Sequence, residues 1–247
     1  MSGVVVVTGG RGEIGGAVGA ALVRDGWTVV SGDLSAVPDD AVDAVGVEQR
    51  RLDVTDPDSI AAFVDAVVAR HGRLDAVVCS AGIEPPQDLA ELSVEAWDTT
   101  FDVNLRGPAL LARAVLPVWS AQRAGSLVSI ASRTWLGGPH PGYAASKAGL
   151  VGLTRSLALE LAPLGVTVNA VAPSFVRTRF SRQRGAAATV DAYAEKVRRS
   201  TPLGRLVVPE DVAETVRFLV SAGSRAITGE VIHVCAGSQL PHFVRQD

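Results

Sequence analysis

The chain has 247 residues, 47% of them hydrophobic but only 5% aromatic, and a formal net charge of −3. Its core must therefore be built from small aliphatic side chains, and its charge gives no reason to expect nucleic acid as a partner. No apolar stretch approaches a membrane span and the N-terminus runs straight into a strand, so the expectation is a cytoplasmic protein with no leader and no membrane contact.

In chain order, Val4 to Val7 is a β-branched run that enters a glycine-rich turn, and Ile14 to Arg24 carries apolar residues at helical spacing up to Gly26. Thr28 to Ser31 reads as a second strand with Asp33 just after it, and Arg51 to Val54 as a third. A helix follows from Pro57 to Arg70, with Asp56 as its N-cap and Gly72 beyond its end. Further strands are expected at Asp75 to Cys79, Ser126 to Ala131, Val166 to Ala170 and Val231 to Val234, with helices between them. Alternating helices and near-continuously apolar strands predict an α/β fold. The expectation is one doubly wound Rossmann-type domain over residues 1–247, its parallel sheet of about seven strands covered by helices on both faces. Ser174 to Arg205 breaks this rhythm with an arginine-rich piece from Arg177 to Arg184, and it reads as a substrate-binding loop. Cys79 and Cys235 are too few for a disulfide framework, and His71, His140, His233 and His242 lack metal spacing, so no metal is expected.

Thr8 to Gly15 lies between a strand and a helix, where backbone N–H groups and the helix dipole can receive a pyrophosphate. Gly10, Gly12 and Gly15 satisfy G-x-G-x-x-G, and Asp33 closes the next strand at the distance expected of a ribose-binding carboxylate. That carboxylate repels a 2′-phosphate, and Leu34 beside it offers no compensating charge, so NAD is expected ahead of NADP; Arg11 is the one residue that argues otherwise.

A second signal is Tyr143-Ala-Ala-Ser-Lys147, which carries one of only two tyrosines and one of only two lysines in the chain. Four residues apart, the pair shares a helical face. A free tyrosine has a pKa near 10, and about 4 kcal/mol of preferential phenolate stabilisation brings it close to 7. An ammonium at about 4 Å supplies that order at an effective dielectric near 20.

With these pieces in place the chain resembles the compact one-domain branch of the short-chain dehydrogenases/reductases, from about Val4 to Gly237. The resemblance rests on Thr8-Gly9 through Gly15, Asp53-Val54, Ser80-Ala81-Gly82, Asn104, Ser132, Tyr143-x-x-x-Lys147, Asn169, Pro173-x-x-x-x-Thr178 and Pro202-Leu203-Gly204-Arg205, in this order. It implies a homotetramer or homodimer and a small alcohol or ketone substrate. Tyr143 would be the general acid/base, Lys147 its electrostatic partner and a ribose ligand, and Ser132 the group that orients the substrate oxygen. Asn104 would support a water-mediated proton path to the lysine. Cofactor contacts are implied for Gly9, Arg11, Gly12, Ile14, Gly15, Asp33, Leu34, Asp53, Val54, Ser80, Ala81, Gly82, Tyr143, Lys147, Pro173, Val176 and Thr178.

Some positions depart from the family's pattern. Glu13 stands where its turn has glycine, and is expected to point to solvent or pair with Arg11. Cys79-Ser80 replaces a pair of asparagines, and Ser174 a glycine. Ser132 precedes Tyr143 by eleven residues, about two fewer than is usual in the family, which leaves Ser129 as its alternative. Arg133, Trp135, His140, Arg177, Arg179 and Phe180 fall where the family builds its substrate pocket. The expected activity is hydride transfer between NAD(H) and a secondary alcohol or ketone. The alternatives are a 3-oxoacyl-thioester reductase using NADPH and a catalytically idle NAD-binding protein.

Overall fold

A computed structural model describes residues 3–35, 41–85, 87–182 and 187–240. At its centre is β1 (Val4–Thr8), five buried residues whose alternate side chains serve opposite faces of a sheet. Val4 and Val6 join one apolar cluster and Val5 and Val7 another, as the period of two requires. The remaining strands are β2 (Thr28–Asp33), β3 (Ala41–Val42), β4 (Glu48–Arg51), β5 (Ala76–Cys79), β6 (Gly125–Ile130), β7 (Val166–Pro173) and β8 (Val231–Val234). They form one sheet in the order β3-β4-β2-β1-β5-β6-β7-β8. Every pairing is parallel except the two-residue edge pairing of β3 with β4.

Helices cover both faces. On one side α1 (Glu13–Arg24) and α8 (Pro209–Leu219) bury Val18, Leu22, Val212 and Val216. On the other, α2 (Pro57–His71), α4 (Gly107–Gln122) and α5 (Pro141–Leu161) bury Phe63, Leu111, Trp119 and Leu161. The helix α2 starts where Asp56 accepts from the Asp58 N–H at 3.0 Å, and ends at Gly72 with φ 73°. A short α3 (Val94–Phe101) runs through a π-turn, Asp102–Arg106, into α4. The interruption before α8 contains α6 (Arg179–Arg182) and α7 (Ala187–Arg199); Gln183, Arg184, Gly185 and Ala186 lie outside the described residues.

Two expectations need correction. The sheet has eight strands, because Ala41–Val42 adds an edge pairing too short to leave an alternating pattern in the sequence. The strand expected at Arg51–Val54 lies instead at Glu48–Arg51. Leu52 and Val54, which suggested the strand, are buried as loop residues packed with Ile60 and Phe63 below the end of the sheet. Tertiary packing, not strand alternation, put apolar side chains there. Since β2 and β5 flank β1 on opposite sides, the chain reverses its winding at the carboxyl end of β1, where open α/β sheets leave a crevice.

Candidate active site

The crevice begins at the glycine turn after β1. Gly9 has φ 64°, and a Cβ there would stand 2.8 Å from the Ala81 Cα. A Cβ at Gly15 would stand 2.3 Å from the Gly9 carbonyl oxygen. Both positions need glycine, and the turn is drawn tightly against the loop after β5. Gly12 is the N-cap of α1 and gives it no side-chain cap, so the first-turn N–H groups face the cleft without a local acceptor from that residue. A glycine cradle at the start of a twelve-residue helix fits a dinucleotide pyrophosphate. Thr8 ties the cradle's two walls together: its buried Oγ1 accepts from the N–H groups of Ser80 and Ala81, both at 3.1 Å. This hydroxyl anchors the loop from the far side, where the sequence offers serine and alanine.

At one end of the cleft Asp33 is fixed by three donors. Its Oδ2 accepts from the Arg11 N–H at 3.3 Å, and its Oδ1 from the Ser35 N–H at 3.1 Å and Oγ at 3.0 Å. Leu34 is 58% exposed beyond it and lies outside the cleft lining. Arg51, which pairs in register with Asp33 across β2 and β4, donates to the Leu34 carbonyl at 3.5 Å. Register brings that cation to the Asp33 end of the cleft, and the strand misplacement hid it from the sequence reading.

At the other end Ser132, Tyr143 and Lys147 line the same cleft, which measures about 490 Å³. The long helix α5 places Tyr143 and Lys147 one turn apart, with the lysine Nζ 5.6 Å from the tyrosine ring centroid. Lys147 is buried and donates to the Ile130 carbonyl at 2.8 Å. Burial pulls its pKa down to about 8, with Glu84 and then Cys79 acting in the opposite direction. Ser132 follows β6 and accepts from the Thr134 Oγ1 at 2.9 Å. Ser129 is buried within the strand, away from the cleft lining, which favours Ser132 over its alternative. Gly9, Arg11, Gly12, Ile14, Gly15, Ser80, Ala81, Gly82, Pro173, Val176 and Thr178 complete the set of expected residues that the fold brings into this one cleft.

Other expected residues lie outside the lining. The Asp53 carboxylate accepts from the Thr55 Oγ1 at 2.7 Å and N–H at 2.9 Å, and these bonds hold its pKa below the usual range. Val54 packs against Gly107. Asn104, in the π-turn, uses its amide on the chain itself: Oδ1 accepts from Ile83 N–H at 2.9 Å, and Nδ2 donates to the Ile83 carbonyl at 2.9 Å and to Ser146 Oγ at 3.1 Å. Trp135 stacks on His233 with centroids 5.9 Å apart, His140 contacts the Pro85 carbonyl, and Arg177 pairs with Asp191, so these three also fall outside.

Glu13 is exposed, in keeping with the expectation that it points to solvent, and does not pair with Arg11; its Oε2 accepts from the Arg179 N–H and links the glycine turn to α6. The sequence reading also missed Phe175 and Tyr193. They meet edge to face at 5.1 Å and wall the cleft together with Phe180, which lies 6.3 Å from the Tyr143 ring. The signal for Tyr193 was its rarity, since it is the chain's second tyrosine.

Comparison with known proteins gives matches over nearly the whole chain. A family model described as enoyl-(acyl carrier protein) reductase matches residues 10–239. The chain is 37% identical over 243 residues to the 3-oxoacyl-acyl-carrier-protein reductase FabG of Thermotoga maritima, covering 95% of this chain and 96% of that one. It is 38% identical over 242 residues to cis-4-hydroxycyclohexanecarboxylate dehydrogenase of Sinomonas cyclohexanicum, covering 95% of both. Among solved structures, levodione reductase superposes with a TM-score of 0.86 at 29% identity, covering 95% of this chain and 96% of that one. The glycine cradle, the Tyr143–Lys147 pair and these matches across nearly the whole length lead to one conclusion: the chain belongs to the short-chain dehydrogenase/reductase family.

Proposed function

We propose that the protein interconverts a secondary alcohol and its ketone with NAD(H). The observation that carries this reading is the meeting of Ser132, Tyr143 and Lys147 in the cleft whose other end is the glycine cradle and Asp33. When bound, the nicotinamide supplies the hydride acceptor or donor. Gly9, Gly12, Ile14, Gly15 and the loop Ser80-Ala81-Gly82 would hold the pyrophosphate and adenosine, and Pro173, Val176 and Thr178 the carboxamide end. Ser132 would hold the substrate oxygen with its hydroxyl. Tyr143 takes the alcohol proton in oxidation and returns it in reduction. Lys147 carries the positive charge that makes the phenolate less costly, which requires it to remain an ammonium. The segment from Ser174 to Arg205 serves as the substrate loop, its aromatic wall formed by Phe175, Phe180 and Tyr193.

The substrate we favour bears an anionic group. Arg133 and Arg179 line the cleft, and among the described residues neither is held in an ion pair. A relative named for a hydroxycyclohexanecarboxylate is consistent with a ring against the aromatic wall and a carboxylate on an arginine. The second reading, a 3-oxoacyl-thioester reductase using NADPH, is favoured by the name of the FabG relative and by Arg11 and Arg51 near Asp33. Rates at 340 nm with NAD, NADP and their reduced forms separate the readings, on a panel of cyclic hydroxy acids, ketones and a 3-oxoacyl thioester. Faster turnover of hydroxy acids with NAD supports the first. Clear NADPH preference with the thioester replaces it by the second.

A further inference from the structure

Glu84 lies two residues past Gly82 in the segment leaving β5, and only 5% of it is exposed. A carboxylate this deep is costly unless a charge answers it. The backbone on either side is fixed. Asn104 holds both the N–H and the carbonyl of Ile83 at 2.9 Å, and a His140 ring nitrogen lies 3.2 Å from the Pro85 carbonyl. The same segment runs past the lysine: a Cβ built on Gly82 would stand 3.6 Å from Lys147 Nζ. Lys147 is itself 4% exposed, and the Ile130 carbonyl that accepts from it is neutral. Among the described residues, the titratable groups near enough to act on this ammonium are Tyr143 on α5, Cys79 at the end of β5, and Glu84. Burial pushes the Cys79 thiol up to about 12, so it is neutral throughout the working range.

We propose that Glu84 is a positioning residue of this site, its buried carboxylate serving as the counter-ion that keeps Lys147 charged beside Tyr143. The consequence for turnover rests on the proposed role of the Tyr143–Lys147 pair; the ion pairing itself is a property of the folded chain. Without Glu84 the desolvation of Lys147 loses its largest opposing influence, so the lysine gives up its proton at lower pH.

The chain's lysine content makes this measurable, because Lys147 and Lys196 are the only two lysines. Protein labelled with 13C at lysine Cε gives two NMR titrations; exposed Lys196 is the internal reference, assigned with Lys196→Arg. In the unaltered protein Lys147 titrates below Lys196. In Glu84→Gln its midpoint falls by about one pH unit, a tenfold loss of proton affinity, and Glu84→Asp falls between the two. The pH profile of turnover moves by the same amount in each variant. An unchanged Lys147 midpoint in folded Glu84→Gln overturns the proposal. If that variant does not fold, Glu84→Asp carries the test, and no shift of Lys147 there overturns it equally. Since the titration needs neither cofactor nor substrate, absence of dehydrogenase activity would count against the proposed function and leave the ion pair standing.

Discussion

Glu13 occupies the place of a glycine in the family's cofactor turn, and it lines the cleft beside the proposed pyrophosphate cradle. Its bond to the Arg179 N–H offers a role for it, clasping the turn to the start of α6. Glu13→Gln keeps an acceptor and removes the charge. Calorimetric titration with NADH should give about tenfold tighter binding, less so in high salt. Equal affinities would mean the carboxylate does not feel the cofactor. Lys147 has a cost of its own. Its pKa falls from 10.5 in the unfolded chain to about 8 in the fold. Between these values the unfolded chain keeps a proton that the folded chain has released, so stability rises with pH across that window and the penalty is full below about 8. At neutral pH it amounts to roughly 3 kcal/mol. Lys147→Met removes that penalty but leaves the buried Glu84 carboxylate without its counter-ion, so the variant should be less stable than the parent at pH 7, and by a larger margin at pH 10. Urea unfolding at both pH values checks this. Tyr143 and Lys147 were legible in the sequence because helical spacing alone brings them together. Glu84 was not, since a lone carboxylate in a loop shows nothing of the burial that folding gives it.

At the level of elements, the helix α2 was legible down to its caps, because Asp56 and Gly72 act through local backbone geometry. Strand β4 was misplaced, because its own residues are polar and the apolar Leu52 and Val54 beside it serve the core from a loop. The π-turn of Asn104 was invisible for a similar reason: its amide bonds Ile83, a contact 21 residues away. Thr8 is the comparable long-range tie between β1 and β5, with both N–H acceptances passing through one hydroxyl. Thr8→Val keeps the shape and leaves two donors unsatisfied, so unfolding free energy in urea should fall by about 2–4 kcal/mol. A loss under about 0.5 kcal/mol would mean that water or a shifted loop replaces the hydroxyl.

For the whole molecule, alternation of strands and helices was enough to foresee the doubly wound sheet, and the crevice follows from where the winding reverses. Assembly is expected through the resemblance alone. The face of α5 that bears Ala148, Gly152 and Leu159 is uncovered in the single chain, Leu159 being 82% exposed. No helix among the described residues is long and apolar enough to cross a membrane, and such a face suits close packing against another copy. Light scattering should give four chains of 25.6 kDa, and Leu159→Arg should lower that mass; a monomer at micromolar concentration would refute the expected homotetramer. The account as a whole stands on Tyr143 as the proton carrier in a site that binds its cofactor independently. The most direct measurement is therefore turnover at 340 nm and NADH affinity for Tyr143→Phe, side by side. Turnover should fall by about a thousandfold while the dissociation constant stays within about twofold. Turnover within tenfold of the parent would contradict it.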